Sequence, residues 1–74
     1  MAWNYRIIDH GTHIALHEVH YRDDGSPRAY TTGPATFIAD EDDGAIEIGK
    51  GLQMAIEGCR KPVLRLSDFG PGIG

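Results

Sequence analysis

From Trp3 to Ile8 the side chains alternate in character. Trp3, Tyr5 and Ile7 share one face, and Asn4, Arg6 and Ile8 the other. Aromatic and β-branched residues at period two predict a half-buried strand. Asp9-His10-Gly11-Thr12 then reads as a turn centred on Gly11. A second strand is predicted from about His13 to Arg22, but its alternation slips. Ile14 and Leu16 are in phase with each other, while Val19 and Tyr21 are one residue out of step with them. Either a β-bulge near His17-Glu18 brings both pairs to the core, or one pair faces solvent.

Tyr21 to Tyr30 reads as a hairpin around Asp24-Gly25. Gly accepts positive φ without steric penalty, which makes Asp-Gly a strong turn signal. A two-residue loop would set Tyr30 opposite Val19, and a three-residue loop with a bulge would shift the pairing by one. Burial of Tyr30 beside Val19 favours the first. The third strand is predicted over Arg28–Thr32 and is stopped by Gly33-Pro34. An extended connection follows, with Phe37 as its core anchor.

The acidic run Asp40–Asp43 precedes a helical pattern, with Asp43 as the expected N-cap. It lacks the spaced ligands and terminal Glu of a calcium loop. From Ala45 the apolar positions Ala45, Ile48, Leu52, Ala55, Ile56 and Cys59 form one stripe of an amphipathic helix. Arg60 and Lys61 suit its last turn, and Pro62 stops it. Three glycines, Gly49, Gly51 and Gly58, predict that it forms by docking rather than alone. Ile46 and Met54 fall off the stripe. Val63, Leu64 and Leu66 predict one more short segment on the core.

These elements predict an α+β fold: a three-stranded antiparallel β-meander followed by one amphipathic helix packed on one face. The chain reads as a single domain, ordered over about residues 3–66, with 67–74 as a flexible tail. One helix covers one side of a sheet. The other side is expected to carry Asn4, Arg6, Ile8, Glu18, His20, Arg22, Ala29 and Thr31. Of these, Arg6, Glu18, His20, Arg22 and Thr31 form the expected interaction surface. Edge strands are also open to pairing.

Composition narrows the function classes. A domain of 74 residues is small enough that its core alone stabilises it only marginally. The net charge of −4 argues against a general phosphate-backbone binder. One cysteine forms no internal disulfide, and no Cys and His cluster has tetrahedral metal spacing. The chain shows neither a signal-peptide pattern nor an apolar run of the roughly 20 residues that span a bilayer. A soluble, cytoplasmic protein without membrane association is the expectation.

Four histidines, His10, His13, His17 and His20, lie close in sequence. On a strand, His13 and His17 stand about 13 Å apart, at about 3.3 Å per residue. His17-Glu18-Val19-His20 is one residue short of the zinc-protease pattern. A metal site would require a loop residue such as His10 or Asp9 to fold back. Cys59 lies on the apolar stripe and reads as a small buried hydrophobe rather than a nucleophile. Gly49-Lys50-Gly51 lacks the pattern of a phosphate loop. The aromatic residues read as core packing rather than as base-stacking platforms.

Trp3-Asn4-Tyr5-Arg6, His17-Glu18-Val19-His20-Tyr21, the turn Asp24-Gly25-Ser26-Pro27 and the close on Lys61-Pro62-Val63-Leu64 resemble a group of small uncharacterised bacterial proteins. That group carries a Trp-Asn-Tyr-Arg-like strand, a His-Glu-Val-Tyr-Tyr-like strand and an Asp-Gly-x-Pro turn. The resemblance covers about residues 3–64, with His20 where the pattern has Tyr. It implies fold and soluble character, and no activity. No catalytic, metal or cofactor set converges in the pattern. The expected function is a non-enzymatic interaction module that binds a protein partner or itself. The alternatives are a nucleic-acid-associated protein using the open sheet face and a histidine-based metal protein.

Overall fold

The computed structural model describes residues 2–42 and 44–70. Strands β1 (Trp3–Asp9), β2 (Ile14–Tyr21) and β3 (Pro27–Tyr30) form the antiparallel meander. Helix α1 (Gly44–Cys59) packs against β1, and a two-residue strand β4 (Leu64–Arg65) pairs parallel to β1 at its edge. The sheet order is β3-β2-β1-β4. The fold is α+β, with one helix on the sheet, and no helix among the described residues is long and apolar enough to cross a membrane.

The turns follow local chemistry. Between β1 and β2, Gly11 takes φ +88, and its N–H donates to Asp9 Oδ1 at 2.8 Å. In the second hairpin the Gly25 N–H closes onto the Arg22 carbonyl at 2.9 Å, and Gly25 itself sits at φ +88. The loop therefore has three residues and a left-handed glycine. Asp24 Oδ1 accepts both the N–H and the hydroxyl of Ser26, at 2.9 and 2.6 Å. Those two bonds hold the Asp24 carboxyl below its ordinary pKa, the hydroxyl having the larger effect.

Tyr30 nevertheless lies opposite Val19, as the two-residue loop would have it. The register shifts between His20 and Tyr21, where Tyr21 pairs with Pro27 and Arg28 is passed over. The bulge thus sits in the β2–β3 ladder. It does not sit at His17-Glu18, because β1 and β2 pair without interruption from Trp3–His20 to Asp9–Ile14.

That unbroken register decides the faces. Directly paired residues in a ladder share a face. Asn4, Arg6 and Ile8 therefore lie with Val19, His17 and Ala15, while Trp3, Tyr5 and Ile7 lie with His20, Glu18 and Leu16. Tyr5 and Ile8 are both buried, on opposite sides of the sheet. The slip seen in β2 is a change of buried face, not an extra residue.

The helix covers the Tyr5 face. Its contact stripe is small: Gly51, Ala55 and Gly58, with Ile48 half-buried. Trp3, Tyr5 and Phe37 supply the bulk, with ring centroids at 5.4 and 5.6 Å from Tyr5. This corrects the predicted stripe, since Ala45, Leu52, Ile56 and Cys59 are exposed. The helix ends at Cys59, so Arg60 and Lys61 fall just past its last turn. The expected N-cap Asp43 lies outside the described residues.

The opposite face is covered by the chain after β4. Leu66–Phe69 forms one 3-10 turn, anchored by Asp68 Oδ2 accepting the Arg65 N–H at 2.7 Å. Phe69, with no exposed surface, joins Ile8, Val19 and Leu64 in one cluster, flanked by Tyr21 and Tyr30. The ordered core therefore extends past residue 66 to Phe69, in place of the tail expected there. Residues 71–74 lie outside the described residues. Of the other apolar residues in the closing segment, Val63 and Leu66 are exposed.

Candidate functional site

Three places on the molecule combine exposure or polarity with defined geometry. The first is the helix flank beside the docked stripe. Leu52, Ile56 and Cys59 follow one another at spacings of four and three, so they line one side of α1. Leu52 is 46% and Ile56 55% exposed, and the Cys59 thiol is free and exposed. Small residues let the helix sit close to Tyr5, and that turns the larger residues outward.

The second is an open cleft of about 540 Å³ between the 36–40 segment and the helix. Trp3, Phe37, Ile48 and Met54 give it apolar walls. Its Lys50 and Glu47 pair with each other at 3.2 Å. The arrangement offers a hydrophobic slot without a convergent acid–base set.

The third lies on the Phe69 face. His17 is 2% exposed. Its Nδ1 stands 2.9 Å from the Thr31 carbonyl, which can only accept, so Nδ1 carries the proton. His17 Nε2 is left with its lone pair, facing His10 Nε2 at 2.9 Å. His10 therefore donates to it. The turn at Gly11 folds His10 back over the sheet, and His13 stacks on its ring at 4.9 Å. The Tyr30 ring packs edge-on to both His10 and His17 and passes the contact to Phe69.

The His10 pKa is lowered, first by burial and then by His17 and His13, against a smaller opposite effect of Asp9. The unfolded chain therefore binds this proton more readily than the folded one. Its effect on stability is absent above the ordinary histidine pKa and becomes a loss as pH falls below it. An acid titration of the thermal midpoint should be level near neutrality and then descend; a midpoint that rises on acidification would contradict the lowered His10 pKa. On the helix face, burial and then the opposing Glu18 carboxylate raise the Tyr5 pKa.

The residues expected to form one interaction surface are distributed over the molecule. Glu18 and His20 share the Tyr5 face, whereas Arg6 is on the Ile8 face. The Arg6 guanidinium bonds the Tyr21 hydroxyl at 3.2 Å and the Pro62 carbonyl at 2.7 Å, and its Nε is buried without a partner. Arg6 therefore ties β1 to the chain beyond the helix. Arg22 is exposed in the hairpin and donates to the Pro27 carbonyl. The Thr31 hydroxyl donates to the Gly33 carbonyl at 2.9 Å, beside His17. The expectation that Arg6, His20 and Arg22 all point away from the helix assumed a bulge that β1 and β2 do not have.

Sequence reasoning named a fold-back of His10 as the condition for a metal site but did not expect it, and did not pair His10 with His17. The usable signal was the turn between them, which brings histidines on either side of it into one hairpin end. A comparison with family profiles, curated proteins and solved structures finds no match for this chain.

Proposed function

We propose that this chain is a small non-enzymatic interaction module that pairs with a second copy of itself through the Leu52–Ile56–Cys59 flank of α1. The observation that carries this reading is that the helix leaves its larger apolar side chains outside the fold's own core.

Because these side chains are already exposed, they can be changed without opening the core. Exposed substitutions usually alter stability by less than about 0.5 kcal/mol. The thermal midpoint of the unmodified protein should rise with its concentration, since self-association stabilises the native state by mass action. In the double variant Leu52→Glu, Ile56→Glu the midpoint should be independent of concentration, with the fold retained by circular dichroism. A midpoint that ignores concentration in both proteins contradicts the reading. So does a concentration dependence that survives the double variant. A cytoplasmic setting, and kinship with the bacterial group named above, belong to the same proposal; a free, exposed thiol suits a reducing compartment.

A further inference from the structure

We propose that His10 and His17 form an open two-imidazole site for a borderline divalent transition ion of the zinc or copper(II) class. The pair already has the features such a ligand set needs. The two Nε2 atoms face each other across a hydrogen bond, 2.9 Å apart. His17 is buried and its ring is held by donation from Nδ1 to a backbone carbonyl, the usual outer-shell support of a metal-ligating histidine. That support fixes the tautomer whose Nε2 lone pair now accepts from His10 and could instead bind an ion.

The change required is local to the His10 turn. Two imidazole nitrogens at about 2.0–2.1 Å from a tetrahedral ion stand roughly 3.3 Å apart. The nitrogens would separate by a few tenths of an ångström, and the His10 ring would also swing off the present N···N line so that its lone pair meets that of His17 at the ion. His10 can supply that movement because it sits in the turn with Gly11, outside the strands. On binding, the proton on His10 Nε2 moves to Nδ1 through solvent, so the ring stays neutral and the ion replaces a shared hydrogen bond. His10 also lines a solvent-open cleft of about 280 Å³ with Asp9, Arg65 and Ser67, which gives an ion access from that side.

The donor set indicates the class. Imidazole favours zinc, copper and nickel over magnesium and calcium. Among the described residues no group of three or more His, Cys, Asp or Glu side chains converges. Asp9 Oδ1 is occupied by the Gly11 N–H, and His13 Nδ1 pairs with the Thr12 hydroxyl at 2.9 Å. Water would fill the remaining positions, so the site is exchangeable and lacks the four protein ligands of a structural zinc centre.

The test is a titration of the full chain with zinc chloride near neutral pH, read by thermal midpoint and by NMR of the histidine rings. Zinc should raise the midpoint saturably and shift the ring signals of His10 and His17, and magnesium should do neither. In His10→Ala the apparent zinc affinity should fall by more than about tenfold. That variant changes a residue in a surface turn, so it keeps the question open even if His17→Gln fails to fold. His13→Ala and His20→Ala should bind zinc as the unmodified chain does. No midpoint rise and no ring shifts would overturn the proposal. Full zinc binding by His10→Ala, or loss of binding only with His13 or His20, would overturn it equally.

Discussion

Replacing Gly58 with Ala should unfold the domain or lift the helix from the sheet. A Cβ at this position would lie 2.0 Å from the Tyr5 carbonyl oxygen and 2.6 Å from its carbon. Both are backbone atoms of a paired strand, so neither can swing aside as a side-chain tip would. Overpacking a core commonly costs about 1–3 kcal/mol, and a clash with backbone belongs at or above the top of that range. Helix propensity acts the other way, since Ala is favoured over Gly by up to about 1 kcal/mol. Any destabilisation must therefore arise from the docked contact. Gly49→Ala is the matched control, because nothing lies within 4 Å of its added Cβ. It should raise the thermal midpoint by the gain in propensity alone. A Gly58→Ala protein that melts with or above the parent would show that the helix does not dock on Tyr5.

Phe69→Ala should have an effect of similar size from the opposite face. Phe69 is fully buried and closes the cluster of Ile8, Val19 and Leu64. Truncating a buried Phe typically costs about 3–5 kcal/mol. A domain of 74 residues has only about 4–11 kcal/mol of total stability at typical per-residue values. The variant should be unfolded or barely folded at room temperature. The Tyr30 ring also loses its edge contact, 4.9 Å between centroids. Urea denaturation with near-ultraviolet circular dichroism would measure the loss. A midpoint near that of the unmodified protein would mean that residues 66–69 do not cover this face.

The strands and the helix were legible in the sequence, because period two and period 3.6 are local signals. Tyr30 faces Val19 only because a bulge offsets the three-residue loop that replaced the expected two-residue one. The assignment of faces was not legible. It assumed that all large apolar residues of one strand seek one core. Here Tyr5 is buried under α1 and Ile8 under the closing segment, so β1 has two buried faces. The out-of-step pairs in β2 were the visible trace of that arrangement. The helix misled in the same way. Leu52 and Ile56 form the stronger apolar pattern, but Tyr5 and Phe37 already fill the space above β1. Only Gly51, Ala55 and Gly58 are small enough to approach them; Phe37 stands 3.3 Å from where a Gly51 Cβ would be. Phe69 was hidden by its neighbours, since Gly70 and Pro71 have the composition of a terminal tail. The scattered interaction residues follow from the same source: with a bulge in β2 they shared a face, and without it they do not.

The most direct test of the account is the mass of the unmodified chain by sedimentation equilibrium over a wide concentration range. The exposed helix flank predicts a reversible change between 8.1 kDa and twice that value. The double variant Leu52→Glu, Ile56→Glu should sediment at 8.1 kDa throughout. An unmodified chain that stays at 8.1 kDa at the highest concentration would contradict self-association through α1.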